Sequence, residues 1–324
     1  MKLLKNLFVL CICIISVMVF SSCGNMKKIT IIQYVSAPAL DNATEGIING
    51  LKAEGFIDGE NVKISVLNPQ AKSDTLTQMV EKAVEDSDLI FAIATPVAQS
   101  LVAELKKTGS KVPVLFTAVT DPVSSGILEE GENHLSISGT SDINPVADQI
   151  SLIKEIKPSA TKIGFIYTTG ETNSLIQLNM AKDAAKDLNI SIEAKSCTNQ
   201  SDLEMVLNDL LQSGIDALYV PTDNEMASQM KTIAQKCNLE KVITICGETG
   251  LLVDGGTITC GAVDYLKLGE MTGLMGAKAL NGEDVSKMGV GYYSGKDTVA
   301  NKDIIAQFEL EIPTEILNNA KDIK

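Results

Sequence analysis

The chain has 324 residues, 45% hydrophobic and 21% charged, with a formal net charge of −14. That length suits two domains of ordinary size and that composition is globular rather than disordered. All 27 basic residues are lysines and tryptophan is absent, so nucleic-acid phosphates are repelled and a bidentate guanidinium clamp on a carboxylate or phosphate is excluded.

Lys2 and Lys5 precede an apolar run from Leu7 to Phe20, closed by Ser21-Ser22-Cys23-Gly24. A short basic region, an apolar stretch short for a bilayer span and small residues at its end describe a secretory signal. Residues 1–22 are expected to be cleaved as the signal peptide, Cys23 to carry lipid, and residues 23–28 to link that anchor to the body. Acyl burial contributes about 0.8 kcal/mol per CH₂. The expected location is the extracytoplasmic face of the cell membrane.

Beyond the signal, short β-branched runs alternate with helical patterns. Strands are predicted at Ile29–Val35, Val62–Leu67, Asp88–Ala94 and Val112–Ala118, with helices near Asp41–Glu54, Ser73–Asp86 and Pro96–Thr108 between them. A second series gives strands at Lys162–Tyr167, Ile190–Ala194, Ala217–Pro221 and Val242–Cys246. Its helices fall near Thr172–Leu188, Gln200–Gln212, Asn224–Cys237 and Tyr265–Leu280. This alternation means α/β architecture: two Rossmann-like lobes with parallel sheets covered by helices.

The two series share a plan. Ser73-Asp74, Asp88-Leu89-Ile90-Phe91 and Thr95-Pro96 recur 128 residues on as Ser201-Asp202, Asp216-Ala217-Leu218-Tyr219 and Asp223-Asn224. The Ser-Asp pairs read as N-caps. Crossovers are predicted after Ser136–Asp142, at Gly256–Val263 and through Ile304–Ile312, which makes a three-strand hinge around a cleft. The expected domains are lobe 1 at 29–140, lobe 2 at 141–262, and shared hinge crossings and C-terminal helices at 263–324.

Cys197, Cys237, Cys246 and Cys260 follow Cys23 with no CxxC spacing, so buried free thiols are expected. His134 is the single histidine, which leaves no basis for a zinc site or a histidine-based triad. No Walker loop is present. No enzyme activity, metal or cofactor is expected.

Ligands of open parallel sheets sit beyond the carboxyl ends of the strands. Those positions hold Ser36, Thr95, Pro96, Thr117, Ala118 and Asp142 in the first series, and Glu171, Asn173, Ser174, Asp223, Asn224, Glu248 and Asp264 in the second. Several of them also read simply as helix caps. Hydroxyls and helix-start N–H groups can hold a carboxylate without arginine, and Asp142, Asp223, Glu248 and Asp264 offer partners for an ammonium. A zwitterionic amino acid satisfies both sets. Tyr34 and Tyr167 are candidates for an apolar wall around its side chain.

Pro38-Ala39-Leu40-Asp41, Ala94-Thr95-Pro96, Phe116–Pro122, Gly139-Thr140-Ser141-Asp142, Glu171-Thr172-Asn173-Ser174, Pro221-Thr222-Asp223-Asn224 and Gly261–Tyr265, in this order, resemble the tryptophan/tyrosine-type substrate-binding proteins of ABC transporters. The resemblance covers nearly the whole mature chain. It implies a type I periplasmic-binding fold, a lipoprotein receptor and an aromatic amino acid ligand handed to a membrane permease. Ala37, where the family often has His, and Ile258-Thr259-Cys260 depart from the family pattern and bear on side-chain specificity. A monomer is expected. The alternative is a sensing receptor subunit for another small amine or a nucleoside-like solute.

Overall fold

A computed structural model describes residues 26–129, 135–293, 295 and 297–323. The signal segment, Cys23 and His134 lie outside these residues. The first lobe begins with β1 (Lys27–Gln33), α1 (Pro38–Ala53), β2 (Val62–Leu67), α2 (Ser73–Asp86), β3 (Leu89–Ile93) and α3 (Thr95–Thr108). β4 (Val114–Val119) and β5 (Ile137–Ser141) follow. The second lobe holds α4 (Val146–Ile156), β6 (Lys162–Thr168), α5 (Thr172–Asp187), β7 (Ser191–Cys197), α6 (Leu203–Gln212) and β8 (Ala217–Val220). It continues with α7 (Asn224–Ser228), α8 (Met230–Leu239), β9 (Ile243–Cys246), α9 (Gly250–Val253) and β10 (Ile258–Cys260). The chain then passes through α10 (Tyr265–Leu280), β11 (Gly291–Tyr292), β12 (Thr298–Ala300), α11 (Lys302–Gln307), α12 (Thr314–Asn319) and β13 (Lys321–Asp322).

Two sheets result. The order in lobe 1 is β11-β5-β4-β3-β1-β2, and in lobe 2 it is β13-β12-β10-β9-β8-β6-β7. Every pairing is parallel except β10 with β12. Central strands such as β3, Leu-Ile-Phe-Ala-Ile, and β4 are buried along their whole length. That is why they read as unbroken apolar runs: a parallel sheet covered on both faces has no solvent side. Lobe 1 has one apolar core that includes Phe91 and Phe116. In lobe 2 the sheet separates two, one around Phe165 and Tyr219 and the other around Leu207, Leu218 and Ile233.

The repeat of 128 residues is visible as structure. The Asp88 carboxylate accepts the N–H of Lys28 at 2.7 Å, and Asp216 accepts the N–H of Lys162 at 3.0 Å, so each ties the start of its lobe's first strand. The Ser-Asp pairs, expected as N-caps, do not occupy that position. The N-cap of α2 is Lys72, with no side-chain bond, and in lobe 2 it is Asn199 that forms a capping box with Asp202. A Ser-Asp pair is a good cap by type, but here the first helical turn already contains it.

Three connections join the lobes: Ser141–Val146, Cys260–Tyr265 and the segment between β11 and β12. The third departs from the crossing expected at Ile304–Ile312. Those residues form α11 and its tail, started by Asn301, whose side chain accepts the Ile304 N–H at 3.0 Å. Ile305, Leu310 and Ile312 are buried in the lobe 2 core. The true crossing is flanked by strands of two and three residues, too short to show a period of two. α10 follows the second connection and returns to pack on α1 at very close range. A Cβ on Gly46 would stand 2.1 Å from the Leu266 carbonyl oxygen, and one on Gly269 2.3 Å from that of Ala43.

Candidate ligand-binding cleft

Between the carboxyl ends of the two sheets lies a small, tightly closed cavity, at the place where open α/β sheets put their ligands. Lobe 1 supplies Ala37, Ala39, Leu40, Ala118 and Thr120; lobe 2 supplies Asn173, Thr222, Asp223, Asn224, Ala227 and Glu248; the crossings supply Asp142 and Tyr265. The rims touch. Thr120 and Thr222 hydroxyl oxygens are 3.4 Å apart, and Gln99 Nε2 donates across to Thr172 Oγ1 at 3.3 Å.

The lobe 1 wall is made of backbone. α1 starts at Pro38 behind Ala37, an N-cap with no side chain to bond the first turn. Proline is favoured at this place because its missing N–H is an orphan there anyway. The first helical bond runs from Asp41 N–H to the Ala37 carbonyl at 2.9 Å; the N–H groups of Ala39 and Leu40 before it lie at the cavity end without an acceptor among the described residues, with the positive end of the helix dipole behind them. Ala118 takes a left-handed φ of 54°, a conformation a non-glycine residue holds only where its surroundings enforce it. It sits at the register shift between β4 and β5.

The lobe 2 wall is made of carboxylates and amides. Asp223 accepts four bonds: from Thr168 N at 2.6 Å, Thr168 Oγ1 at 2.7 Å, Ser174 Oγ at 2.7 Å and Met226 N at 2.9 Å. That fills the acceptor positions of a carboxylate, so it organises the rim and caps α7. Behind it, Glu171 accepts from Asn173 Nδ2 at 3.0 Å, Asn224 N at 3.0 Å, Asn224 Nδ2 at 2.6 Å and Glu225 N at 3.2 Å. Burial, and then the charge of Asp223, push Glu171 up to about 8 against those donors. Burial likewise raises Glu248 to about 7, opposed by the N–H groups of Gly250 and Leu251.

Asp142 stands between the lobes. Tyr265 donates to its Oδ2 at 2.6 Å, while its Oδ1 is buried with no partner among the described residues. Burial raises its pKa; the Tyr265 bond opposes this. Asn173 Oδ1 is similarly unpartnered. Both residues line the cavity, and buried polar atoms left open at a cleft are where a ligand's polar groups belong. The open acceptors suit an ammonium; the open N–H groups suit a carboxylate.

The other sequence-predicted residues are placed differently. Ala118, Asp142, Asn173, Asp223, Asn224 and Glu248 come together at the cavity. Glu171 and Ser174 stand directly behind them. Thr117 is buried under the site, accepting from Thr140 at 2.9 Å. Thr95 is the buried first residue of α3, and Pro96 beside it is half-buried. Ser36 is exposed and bonds Asp41 at 3.2 Å. Asp264 caps α10 through Lys267 N at 3.1 Å and lines an adjoining groove. Tyr34 is buried in the lobe 1 core, and Tyr167 packs edge-on to Phe165 at 6.0 Å; neither lines the cavity. Thr120 and Thr222, which also follow strand ends in the sequence, line the cavity, whereas Ala37, Ala39, Leu40, Ala227 and Tyr265 are outside the strand-end positions read from the sequence. For α1 the available signal was a proline at the first helical position after an alanine that cannot cap. All four described cysteines are free thiols, three of them buried.

Two parallel-sheet lobes joined by three crossings around a cavity define the type I periplasmic-binding fold, shared with solute-binding structures only 14% and 16% identical. The chain belongs to the ABC transporter substrate binding protein family, which it matches over residues 28–324. That family comprises solute-binding proteins and not enzymes. A tyrosine-binding protein of Clostridioides difficile is 36% identical over 287 residues, 88% of this chain and 81% of the relative. A Streptococcus structure in complex with L-Trp is 29% identical, covers 93% of this chain and all of its own, and has a TM-score of 0.85. The ligand-free, open structure of a substrate binding protein from Clostridium difficile is 36% identical over 92% of this chain and 99% of its own, yet its TM-score is 0.67. More identity with less superposition is what a different lobe closure produces. The touching rims make the present arrangement a closed one.

Proposed function

We propose that this protein is the extracytoplasmic receptor of an ABC importer, that it captures a free aromatic amino acid between its lobes, and that it passes this ligand to a membrane permease. The carrying observation is the distribution of open groups around the cavity: an uncapped helix start in lobe 1, an open carboxylate oxygen of Asp142 at the crossing, an open amide oxygen of Asn173 in lobe 2, and no lysine among the lining residues. An α-amino acid has one group for each. The tyrosine-binding and L-Trp-bound relatives support the aromatic class. Ala39, Leu40 and Ala227 give the lining an apolar side against which a ring can pack. Closure by the hinge favours ligand because both walls contribute contacts only in the closed form. The segment ending at Cys23 supports a lipid anchor, and the body acts as a monomer.

Thermal shift with each of the twenty amino acids tests this. Tyrosine, tryptophan or phenylalanine at a hundredfold excess over its dissociation constant stabilises the protein by about 2.7 kcal/mol. A flat response to all twenty would end the proposal.

A further inference from the structure

The far end of lobe 1, where β1 begins, carries a second recess that the ligand cavity does not explain. It is a solvent-open groove of about 350 Å³ between the β1–β2 face and the end of α2. Strand register sets Lys28 directly beside Lys63, and Thr30 beside Ser65; α2 adds Lys82. Like charges side by side in a sheet repel. Among the described residues none of these three lysines has an ion-pair partner. Asp86 is the acidic residue at the rim, while Asp88 is engaged with the Lys28 N–H.

Lobe 2 provides an internal control. By strand register Lys162 stands where Lys28 does, but its neighbour is Ser191. Its ammonium donates to the Ser213 carbonyl at 2.7 Å and pairs with Glu193 at 3.6 Å. Gly164 replaces Thr30, and a Cβ there would stand 2.8 Å from Ile215 Cδ1; an apolar side chain fills the space. The recess with unpaired lysines therefore has no counterpart at the equivalent place in lobe 2, and it lies at the end of lobe 1 where the chain enters from its N-terminus; the charged groove of lobe 2 lies elsewhere and mixes Lys157 and Lys241 with Asp216, Glu309 and Glu311.

We propose that this groove is a docking surface for a membrane bearing anionic phospholipid headgroups, with phosphate oxygens seated among Lys28, Lys63 and Lys82. Charge complementarity is the first reason. Position is the second: Cys23 is four residues before Lys27, a reach of about 14 Å when extended. The choice of a membrane as partner rests on the lipid-anchor reading. The full chain carries −14 and loses Lys2 and Lys5 with residues 1–22, so the body, at −14 − 2 = −16, is repelled by an anionic surface, and a local basic face is what holds one orientation against it.

The test uses the chain from residue 23 onward with Cys23→Ser, which keeps both sheets because they lie wholly within residues 26–323. It is sedimented with phosphatidylcholine vesicles and with phosphatidylcholine–phosphatidylglycerol vesicles at low salt. The expected result is binding to the anionic vesicles only. Each lysine contributes about fivefold, so the Lys28→Gln/Lys63→Gln/Lys82→Gln variant loses about a hundredfold. The equally charged Lys182→Gln/Lys186→Gln/Lys236→Gln variant keeps it. Equal loss in both variants, no binding to either vesicle, or full displacement by soluble glycerol phosphate overturns the proposal. Acylation of Cys23 is read separately by mass spectrometry of the membrane-extracted chain, so failure of the anchor and failure of the groove remain distinct.

Discussion

The two walls of the cavity use different chemistry. Lobe 1 brings alanines, a leucine and a threonine, and its polar groups there are the N–H groups at the start of α1. Lobe 2 brings Asp223, Glu248 and two asparagines, held by a buried network around Asp223 and Glu171. Lobe 1 is thus preorganised by backbone and close helix packing, and lobe 2 by side-chain hydrogen bonds. A backbone wall changes little with pH, whereas a carboxylate wall does. Twin lobes on one topological plan can therefore divide a zwitterion between them without arginine.

The largest effect is expected in the network. Asp223→Ala leaves four buried donors without their acceptor and removes the α7 cap, costing about 3–5 kcal/mol by analogy with breaking a buried charged network. Urea unfolding of the ligand-free protein measures it; a loss under 1 kcal/mol would mean the network is not what organises lobe 2. Next is the helix contact of lobe 1. Gly269→Ala drives a methyl at the Ala43 carbonyl and is expected to cost about 1–3 kcal/mol as overpacking, with lobe 2 unaffected by hydrogen exchange.

Ala37→Asp separates stability from binding. A carboxylate at the N-cap stabilises α1 by about 1 kcal/mol, while occupying the N–H groups proposed for the ligand. Higher stability with at least tenfold weaker amino acid affinity by calorimetry is the expected pair of results. Unchanged affinity would remove the α1 terminus from the site.

The smallest effect is pH dependence. The folded protein holds Glu171 at about 8 and Glu248 at about 7, above the ordinary glutamate value. The folded state then binds more protons than the unfolded state between about pH 4.5 and those values, so stability declines as pH rises through that window. A ligand ammonium favours the ionised forms, so affinity rises over the same window and binding releases protons. Calorimetry in buffers of different ionisation enthalpy reads the proton count, and Glu248→Gln is expected to reduce it.

Much of this was legible in residue order. Ser73–Asp86 and Tyr265–Leu280 were predicted with the bounds observed, and Val62–Leu67 likewise, because their apolar spacing and boundary residues agree. The 128-residue echo was readable because Asp88 and Asp216 perform one task. The split of the predicted Asn224–Cys237 helix at Gln229 was not readable, since no proline or glycine marks it.

The sequence alone determined two α/β lobes, the strand ends that surround the cleft, and the absence of guanidinium chemistry, because periodicity and composition are local properties. Only the tertiary structure decided that Asp223 is saturated while Asp142 keeps a free oxygen, that Ala37 and Tyr265 belong to the site, and that the third crossing lies between β11 and β12. Each of these depends on which distant groups meet. A carboxylate's role is set by how many donors reach it, and those donors come from residues as far away in sequence as Thr168 and Tyr265.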